Sequence, residues 1–266
     1  HGESSDGGKI RGGAPCNVPL PCCEAWQKNS LYWQVGNDMF GKISSKKAVE
    51  EVGIDTRNLI MDHKHHTTLA FCPYLSGRGQ RFFFYRDPGA DMMLTKEEVQ
   101  KELIEDSRIF HFGTLSSTHE GIREATRHAI ELAKEAGCII TFDPNLRPPL
   151  WNSLDDARRE IEYGMGKCDV LKISDNEVEF LFGTTDYDKG AALIREKYNI
   201  PLVLITMGKD GSRAYYKDLR VEAAPFLQEN TIETTGAGDT FCASALNYVL
   251  EHGLEDLTAE NFKRSF

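Results

Sequence analysis

The stretch ETTGAGDTF, residues 233–241, places three small residues directly ahead of a carboxylate, Asp239, and an apolar, helix-like run follows over 241–250. Small residues let a ligand approach the backbone closely. A helix that begins here has first amide N–H groups without internal partners and a partial positive charge, and both suit an anion such as a phosphate. A carboxylate would repel that anion unless it takes a proton from the attacking group. The stretch therefore predicts a phosphoryl-transfer site, with a tight turn that caps a buried helix as the alternative.

Two common nucleotide-binding motifs do not account for this stretch. The chain has no GxxxxGK[ST] sequence, which excludes a P-loop, and the dinucleotide fingerprint GxGxxG fails because Phe241 occupies the position of its third glycine. A Rossmann dehydrogenase is therefore disfavoured.

Polar side chains at three other turns or element ends could complete the site. These stretches are GGAPCN (12–17), FDPNLR (142–147) and SDNEVEF (174–180). FDPNLR follows a predicted strand, which is where pocket residues belong. Asn176 and Glu179 lie three residues apart at a helix start, so both can face one side of that helix.

Alternating apolar strands and amphipathic helices from about residue 95 onwards must position these side chains. Strands are predicted over 108–112, 138–142, 169–173 and 202–206, and helices over 118–136, from 153, over 175–181 and over 188–198. Helices between short apolar strands imply a mainly parallel sheet covered on both faces, with ligands beyond the carboxyl ends of the strands. We predict one α/β domain over 1–266 with a doubly wound, mainly parallel sheet.

Residues 67–86 interrupt this pattern. TTLAFCPYL, SGRGQ and RFFFYR read in order as a strand, a glycine-containing turn and a second strand of a β-hairpin. We expect the hairpin to project as a small β lid over the site, together with a segment at about 10–35; padding of the sheet edge is the alternative.

Composition limits the partners and the compartment. Lys and Arg total 31 against 41 Asp and Glu, so the net charge of −10 argues against a nucleic-acid or anionic-membrane partner. An anionic substrate must then be held by local dipoles, a metal ion or a few cations. The seven cysteines are odd in number and form no CxxC pair, which favours free thiols and a reducing, cytoplasmic location.

Taken together, GGAPCN, FDPNLR, SDNEVEF and ETTGAGDTF resemble, in order, the motifs of the PfkB (ribokinase-like) family of sugar kinases. Within that family, FYRDPGADMML, FDPNLRPPLW and KISDNEVEFLFG are most similar to bacterial fructokinases. The resemblance spans about residues 35–258. It implies an ATP-dependent transfer of phosphate to a sugar hydroxyl, with Mg²⁺ and possible K⁺ as cofactors. Fructose is the first choice of sugar; ribose, 2-keto-3-deoxygluconate, and a non-catalytic binding protein on the same fold remain alternatives.

The same resemblance assigns roles to individual residues. The predicted general base is Asp239, and the predicted anion hole is Gly236, Ala237, Gly238 and the amide of Asp239. The predicted sugar contacts are Gly12, Gly13, Asn17, Asn145, Arg147 and, on the lid strand, Arg86, for which an exposed cation is the alternative. The predicted nucleotide contacts are Lys172, Thr206, Gly208 and Gly211. The predicted metal residues are Asn176 and Glu179, which hold Mg²⁺ through water, and Glu233 for a monovalent ion.

The chain departs from the family at its ends. Residues 1–11 lack the family's first strand, 18–34 differ from its next helix and strand, and Phe266 precedes its last helices. We therefore expect the natural protein to be longer, mostly beyond Phe266. The resemblance also implies a homodimer that pairs through the β lids.

Overall fold

The computed structural model describes residues 29–42, 48–51, 53–71, 83–225, 236–255 and 257–260. The strands are β1 (Trp33–Gly36), β2 (Leu59–Asp62), β3 (Leu69–Phe71), β4 (Phe83–Tyr85), β5 (Ile109–Gly113), β6 (Ile139–Asp143), β7 (Val170–Ser174), β8 (Leu202–Thr206), β9 (Ser212–Tyr216) and β10 (Leu219–Ala223). The α-helices are α1 (Ala48–Glu51), α2 (Lys101–Glu105), α3 (Glu120–Glu135), α4 (Leu154–Met165), α5 (Asp175–Phe182), α6 (Tyr187–Tyr198) and α7 (Ala237–His252).

Within the described residues, the main sheet has six strands in the order β10-β9-β8-β7-β6-β5. Strands β5 to β8 are parallel, whereas β9 is antiparallel to both of its neighbours, β8 and β10. The parallel strands place their carboxyl ends at one edge, where Gly113 lies beside Asp143 and Ser174 beside Thr206. Thr206, a predicted nucleotide contact, therefore lies at this edge, and Lys172 lies two residues before Ser174 on β7.

Helices cover both faces of the sheet. Side chains alternate along each strand, so Leu171 and Ile173 of β7 face one side and Val170 and Lys172 face the other. On the first side, β-strand residues form a core with α3, α4, α5 and α6. On the second side, strand residues pack against Ala245, Tyr248 and Val249 of α7. The prediction of a mainly parallel α/β sheet with helices on both faces is confirmed.

Two smaller sheets precede the main one in the chain. Strands β3 and β4 pair antiparallel, with Leu69 opposite Tyr85 and Phe71 opposite Phe83, so the predicted hairpin strands form; its turn, 72–82, lies outside the described residues. Strand β1, which we assigned to a lid segment, pairs in parallel with β2 rather than with the hairpin. The rest of that predicted segment, 10–28, lies outside the described residues.

Most predicted elements agree with the observed ones to within a residue or two. Ser153 caps α4 by accepting a hydrogen bond from the Asp156 N–H, and Thr95 and Glu98 form a capping box at the 3₁₀ turn Lys96–Glu98. Strands β9 and β10, which were not predicted, extend the sheet beyond β8, and each pairs antiparallel with the strand before it. Within the described part of the chain, no helix is long and apolar enough to span a membrane.

Candidate active site

A group of polar side chains lies on the α7 side of the main sheet, near the carboxyl edge. On β6, Phe142 faces the opposite core, so Thr141 and Asp143 face α7. Register places His111 beside Thr141 on β5, and Lys172 follows Val170 on the same face of β7. These four side chains form a polar floor under the beginning of α7, and we call His111, Thr141, Asp143 and Lys172 the polar floor below.

Lys172 and Asp143 form a buried ion pair in this floor. The Lys172 Nζ lies 3.0 Å from Asp143 Oδ2, and the side chains are only 9% and 4% exposed. Burial raises the pKa of the Asp143 carboxyl to about 6 against the opposing influence of Lys172. Burial alone would lower the pKa of Lys172, but the carboxylates of Asp143 and Glu177 outweigh it and raise that pKa. Each partner thus keeps the other charged in a site that would otherwise favour neutral groups.

The first turn of α7 lies directly over this ion pair. Gly236 is the N-cap with φ of +85°, and its carbonyl accepts the Thr240 N–H at 2.8 Å. A Cβ placed on Gly238 would lie 3.3 Å from the Lys172 Nζ, so the ammonium group reaches the small-residue turn. Asp239 is partly exposed in the same turn. A helix N-terminus, a lysine and a carboxylate therefore meet where the sequence predicts the transferred phosphate.

Glu177 ties the start of α5 to the loop after β6. Its Oε2 accepts the Ser174 N–H at 2.8 Å and the Ser174 hydroxyl at 2.9 Å, and its Oε1 accepts the Leu146 N–H at 2.7 Å. The side chain is buried, and its charge acts on both Lys172 and Asp143. Glu177 was not among the predicted site residues, although the Ser-x-x-Glu spacing at 174–177 is a capping-box signal.

Asn176 and Glu179 are exposed on α5. Burial raises the pKa of the Tyr187 hydroxyl, and the negative charges of Asp175 and Glu179 raise it further. The charge of Glu179 therefore influences the start of α6 electrostatically. No group of three or more His, Cys, Asp or Glu side chains that could hold a metal ion occurs among the described residues. The water-mediated metal role of Asn176 and Glu179 stays a prediction.

The predicted nucleotide segment follows β8 at the same edge. Thr206 ends β8 beside Ser174, and a short 3₁₀ turn over Gly208–Asp210 leads into Gly211. The Met207 N–H donates to the Gly211 carbonyl at 2.8 Å, which closes this turn. The structure thus brings Lys172, Thr206 and the glycine turn to one edge of the sheet.

The predicted sugar contacts have unequal surroundings. Asn145 adopts a left-handed conformation with φ of +44° and donates its N–H to Asp143 Oδ1 at 3.1 Å, whereas Arg147 is exposed. The Arg86 side chain is only 4% exposed, so the exposed-cation alternative is wrong.

The Arg86 guanidinium fastens the end of β4 to the segment after β5. Its Nε donates to Asp91 Oδ2 at 2.7 Å, its Nη1 to Thr118 Oγ1 at 2.7 Å and its Nη2 to the Leu115 carbonyl at 3.2 Å. Gly12, Gly13, Asn17 and Glu233 lie outside the described residues.

His111 is the remaining member of the polar floor. Its Nδ1 lies 2.9 Å from Thr141 Oγ1. Burial, and then the charge of Lys172, lower its pKa to about 4, so the imidazole is neutral at physiological pH. A neutral His111 adds no charge to compete with Lys172.

Comparison with known proteins places this site in a family. The pfkB family carbohydrate kinase domain matches residues 1–259. The chain belongs to the pfkB family of carbohydrate kinases. It is 37% identical over 249 residues to a protein of Arabidopsis thaliana named "Probable fructokinase-2", and the match covers 94% of this chain and 75% of that protein.

Solved structures support the same family fold. Fructokinase from Xylella fastidiosa with bound ATP has a TM-score of 0.86 and 26% identity, covering 96% of this chain and 81% of that one. Fructokinase from Vibrio cholerae O395, with fructose, ADP and a calcium ion bound, has a TM-score of 0.80 and 28% identity, covering 90% of this chain and 76% of that one. The resemblance to PfkB kinases inferred from the motifs is confirmed.

The residues of this family member fit a nucleoside triphosphate substrate. The Gly238 position has no side chain between the α7 amides and the buried Lys172 ammonium, which suits an anionic group. For Mg²⁺, the predicted ligands Asn176 and Glu179 offer amide and carboxylate oxygens, which a hard cation prefers. Both side chains are exposed on α5, where water and substrate phosphates can reach them.

Proposed function

We propose that this pfkB family kinase transfers the γ-phosphoryl group of ATP to the 6-hydroxyl of D-fructose, giving D-fructose 6-phosphate and ADP. The observation that carries the proposal is the first turn of α7, where Asp239 and the buried Lys172 flank Gly238. Relatives named fructokinase, and solved fructokinases with ATP or with fructose and ADP bound, support the choice of substrates.

In the proposed reaction, the sugar hydroxyl oxygen bonds to the γ-phosphorus while the bond from that phosphorus to the β–γ bridging oxygen breaks. The electron pair of the broken bond leaves on ADP, and Asp239 takes the hydroxyl proton. A sugar hydroxyl is barely ionised at neutral pH, so Asp239 helps only as the proton leaves in the transition state. The amides of Gly236, Ala237, Gly238 and Asp239 are fixed by the helix and stabilise the transferring group without reorganising.

Two ions and several other residues complete the proposal. Mg²⁺ would neutralise phosphate charge, with Asn176 and Glu179 as predicted partners through water, and Glu233 would contact a monovalent ion such as K⁺. Lys172, Thr206, Gly208 and Gly211 would contact the nucleotide. Gly12, Gly13, Asn17, Asn145, Arg147 and Arg86 would contact the sugar.

A coupled ADP-release assay tests the function. We expect ATP-dependent turnover with fructose at a higher kcat/KM than with ribose or 2-keto-3-deoxygluconate, in the presence of Mg²⁺. A preference for another sugar would revise the substrate. Sugar binding without any turnover would support a non-catalytic role instead.

We also propose a cytoplasmic homodimer that pairs through the β3–β4 lid, with no nucleic-acid or membrane partner. Phe71, Phe83 and Tyr85 on this small sheet are each more than half exposed, and their rings are the apolar surface that pairing would bury. Sedimentation of the protein and of Phe83→Ser tests the dimer: the variant should shift towards monomer. A monomeric parent protein would contradict the proposal.

A further inference from the structure

The Asp143–Lys172 ion pair has a location that structural stabilisation alone does not explain. Lys172 brings a positive charge to the start of α7, which already carries a partial positive charge, and two such charges repel each other. Burial of an ammonium group is costly unless a carboxylate compensates for it. Asp143 is the carboxylate within salt-bridge distance among the described residues, at 3.0 Å. An apolar side chain at position 172 would therefore cost less free energy to bury than the ammonium group that is present there.

Asp143 itself is held rigidly. It is the last residue of β6, and its Oδ1 accepts the Asn145 N–H at 3.1 Å. Gly113 of β5 packs beside it, and a Cβ on Gly113 would lie 2.7 Å from the Asp143 carbonyl oxygen. By contrast, lysine has a flexible four-carbon stem that does not by itself fix the position of its ammonium group. Asp143 is thus the fixed member of the pair, and Lys172 takes its position from Asp143.

We propose that Asp143 is a positioning residue for phosphoryl transfer, which holds the Lys172 ammonium beside Gly238 so that it contacts the γ-phosphate of the bound nucleotide. This inference rests on the proposed function, because it assigns the γ-phosphate to the first turn of α7. The Lys172 ammonium has three N–H donors, and the bond to Asp143 uses one of them. The other two provide charge-assisted hydrogen bonds to phosphate oxygens.

Variants at both positions test the dependence of one residue on the other. Lys172→Met removes the cation and should lower kcat by about 10²–10³, as for the loss of one donor to a developing anion. Asp143→Asn keeps the size of the side chain and should lower kcat by about 10–100-fold, a range typical of residues that orient a ligating group. The double variant should be no slower than Lys172→Met, because Asp143 acts through Lys172. The KM for fructose should stay nearly constant.

Calorimetric binding of Mg²⁺–ADP and Mg²⁺–AMP-PNP, without sugar, gives a readout that does not need turnover. Asp143→Asn should weaken AMP-PNP binding about tenfold more than ADP binding, since only AMP-PNP has a γ-phosphate. Glu160→Gln is the matched control. Glu160 is a buried carboxylate that pairs with Arg127 at 2.9 Å, away from the polar floor, so its variant should leave the ratio of the two affinities unchanged.

Several outcomes would overturn the inference. Multiplicative losses in the double variant, or an Asp143→Asn variant with the parental ratio of AMP-PNP to ADP affinity, would reduce Asp143 to a stabilising residue. If Asp143→Asn alone fails to fold because Lys172 is left unpaired, the double variant of Asp143→Asn and Lys172→Met takes its place. That variant has neither charge of the ion pair, and its kcat is compared with that of Lys172→Met. A double variant clearly slower than Lys172→Met then contradicts the proposal, and equal rates support it. The ratio of AMP-PNP to ADP affinity tests the role of Asp143 even if the sugar substrate is not fructose, because it is measured without sugar. The ADP-release assay with several sugars tests the proposed function separately.

Discussion

At the scale of single residues, the carboxylates of the site differ in their burial and their surroundings. Asp143 is buried and paired with Lys172, Glu177 is buried and accepts three hydrogen bonds, and Asp239 is partly exposed in the first turn of α7. The exposure and position of Asp239 therefore favour it as the group that meets the sugar hydroxyl.

The general-base role of Asp239 leads to the first prediction. Asp239→Asn keeps the size of the side chain but removes its basicity, so kcat should fall by about 10²–10⁴. Calorimetry should show that Mg²⁺–ATP still binds. Asp155→Asn changes an exposed carboxylate in the first turn of α4 and should leave kcat near the parental value. Near-normal turnover of Asp239→Asn would remove the general-base assignment.

The second prediction concerns Glu179, an exposed carboxylate of α5 that we propose holds Mg²⁺ through water. Glu179→Gln should raise the Mg²⁺ concentration for half-maximal rate about 10-fold or more, as removal of a residue that orients metal ligands does. Glu177 on the same helix is buried and accepts hydrogen bonds from Ser174 and Leu146, so its carboxylate serves the fold. An unchanged Mg²⁺ dependence of Glu179→Gln in titrations of the rate would remove the metal role of Glu179.

At the scale of elements, the sequence predicted the parts governed by local signals. Strand β8 was predicted with its observed bounds because an apolar β-branched run is bounded by turn residues, and α4 was predicted by its cap at Ser153. Strand β9 was missed because its residues, SRAYY, have no clear period-two pattern. Strand β10, LRVEA, does alternate apolar and charged residues, and this signal was overlooked. The Asp143–Lys172 pair was missed because it joins residues on different strands, and register between strands is not readable from either segment alone.

The third prediction concerns the turn between β8 and β9. Gly211 has φ of +88°, and a Cβ there would lie 2.2 Å from the Ala223 carbonyl oxygen of β10. Gly211→Ala therefore meets both backbone strain and a clash, and should lower the free energy of unfolding by about 2–4 kcal/mol. Gly208→Ala is the matched control, because its φ of +55° carries strain but nothing lies within 4 Å of the added Cβ. Denaturant unfolding that gives equal losses for both variants would exclude the clash as the cause.

At the scale of the whole molecule, an acidic protein binds anionic substrates by concentrating a few positive features at one edge. The net charge is −10, yet the carboxyl edge combines the N-termini of α5 and α7 with the buried ammonium of Lys172. Parallel strands bring these features together because helices that follow them begin at the same edge. The polar floor beneath the start of α7 is part of the folded core. Protonation of its side chains therefore also changes the free energy of unfolding of the whole protein.

The fourth prediction uses His111 to measure that contribution. Its pKa falls from an ordinary 6.5 to about 4 in the folded protein because of burial, and then because of Lys172. Between these two values the unfolded chain binds a proton that the folded chain does not, so this residue makes stability rise with pH. The full contribution of about 3 kcal/mol is present above pH 6.5 and is lost as pH falls towards 4. Asp143 acts in the opposite direction, because burial raises its pKa to about 6 and the folded chain then holds a proton that the unfolded chain has lost.

Because the two contributions oppose each other, the parent protein alone does not reveal either of them, and a variant is needed. His111→Gln keeps a hydrogen-bonding partner for Thr141 but cannot titrate. The free energy of unfolding of the parent minus that of the variant should rise by about 1.4 kcal/mol per pH unit between about pH 4 and pH 6.5, and stay constant above it. Urea unfolding at a series of pH values measures this difference. His128→Gln on α3, where the histidine is exposed, is the matched control for the loss of an imidazole. A pH-independent difference for His111→Gln would mean that His111 titrates alike in both states, and that the polar floor does not disfavour a second positive charge beside Lys172.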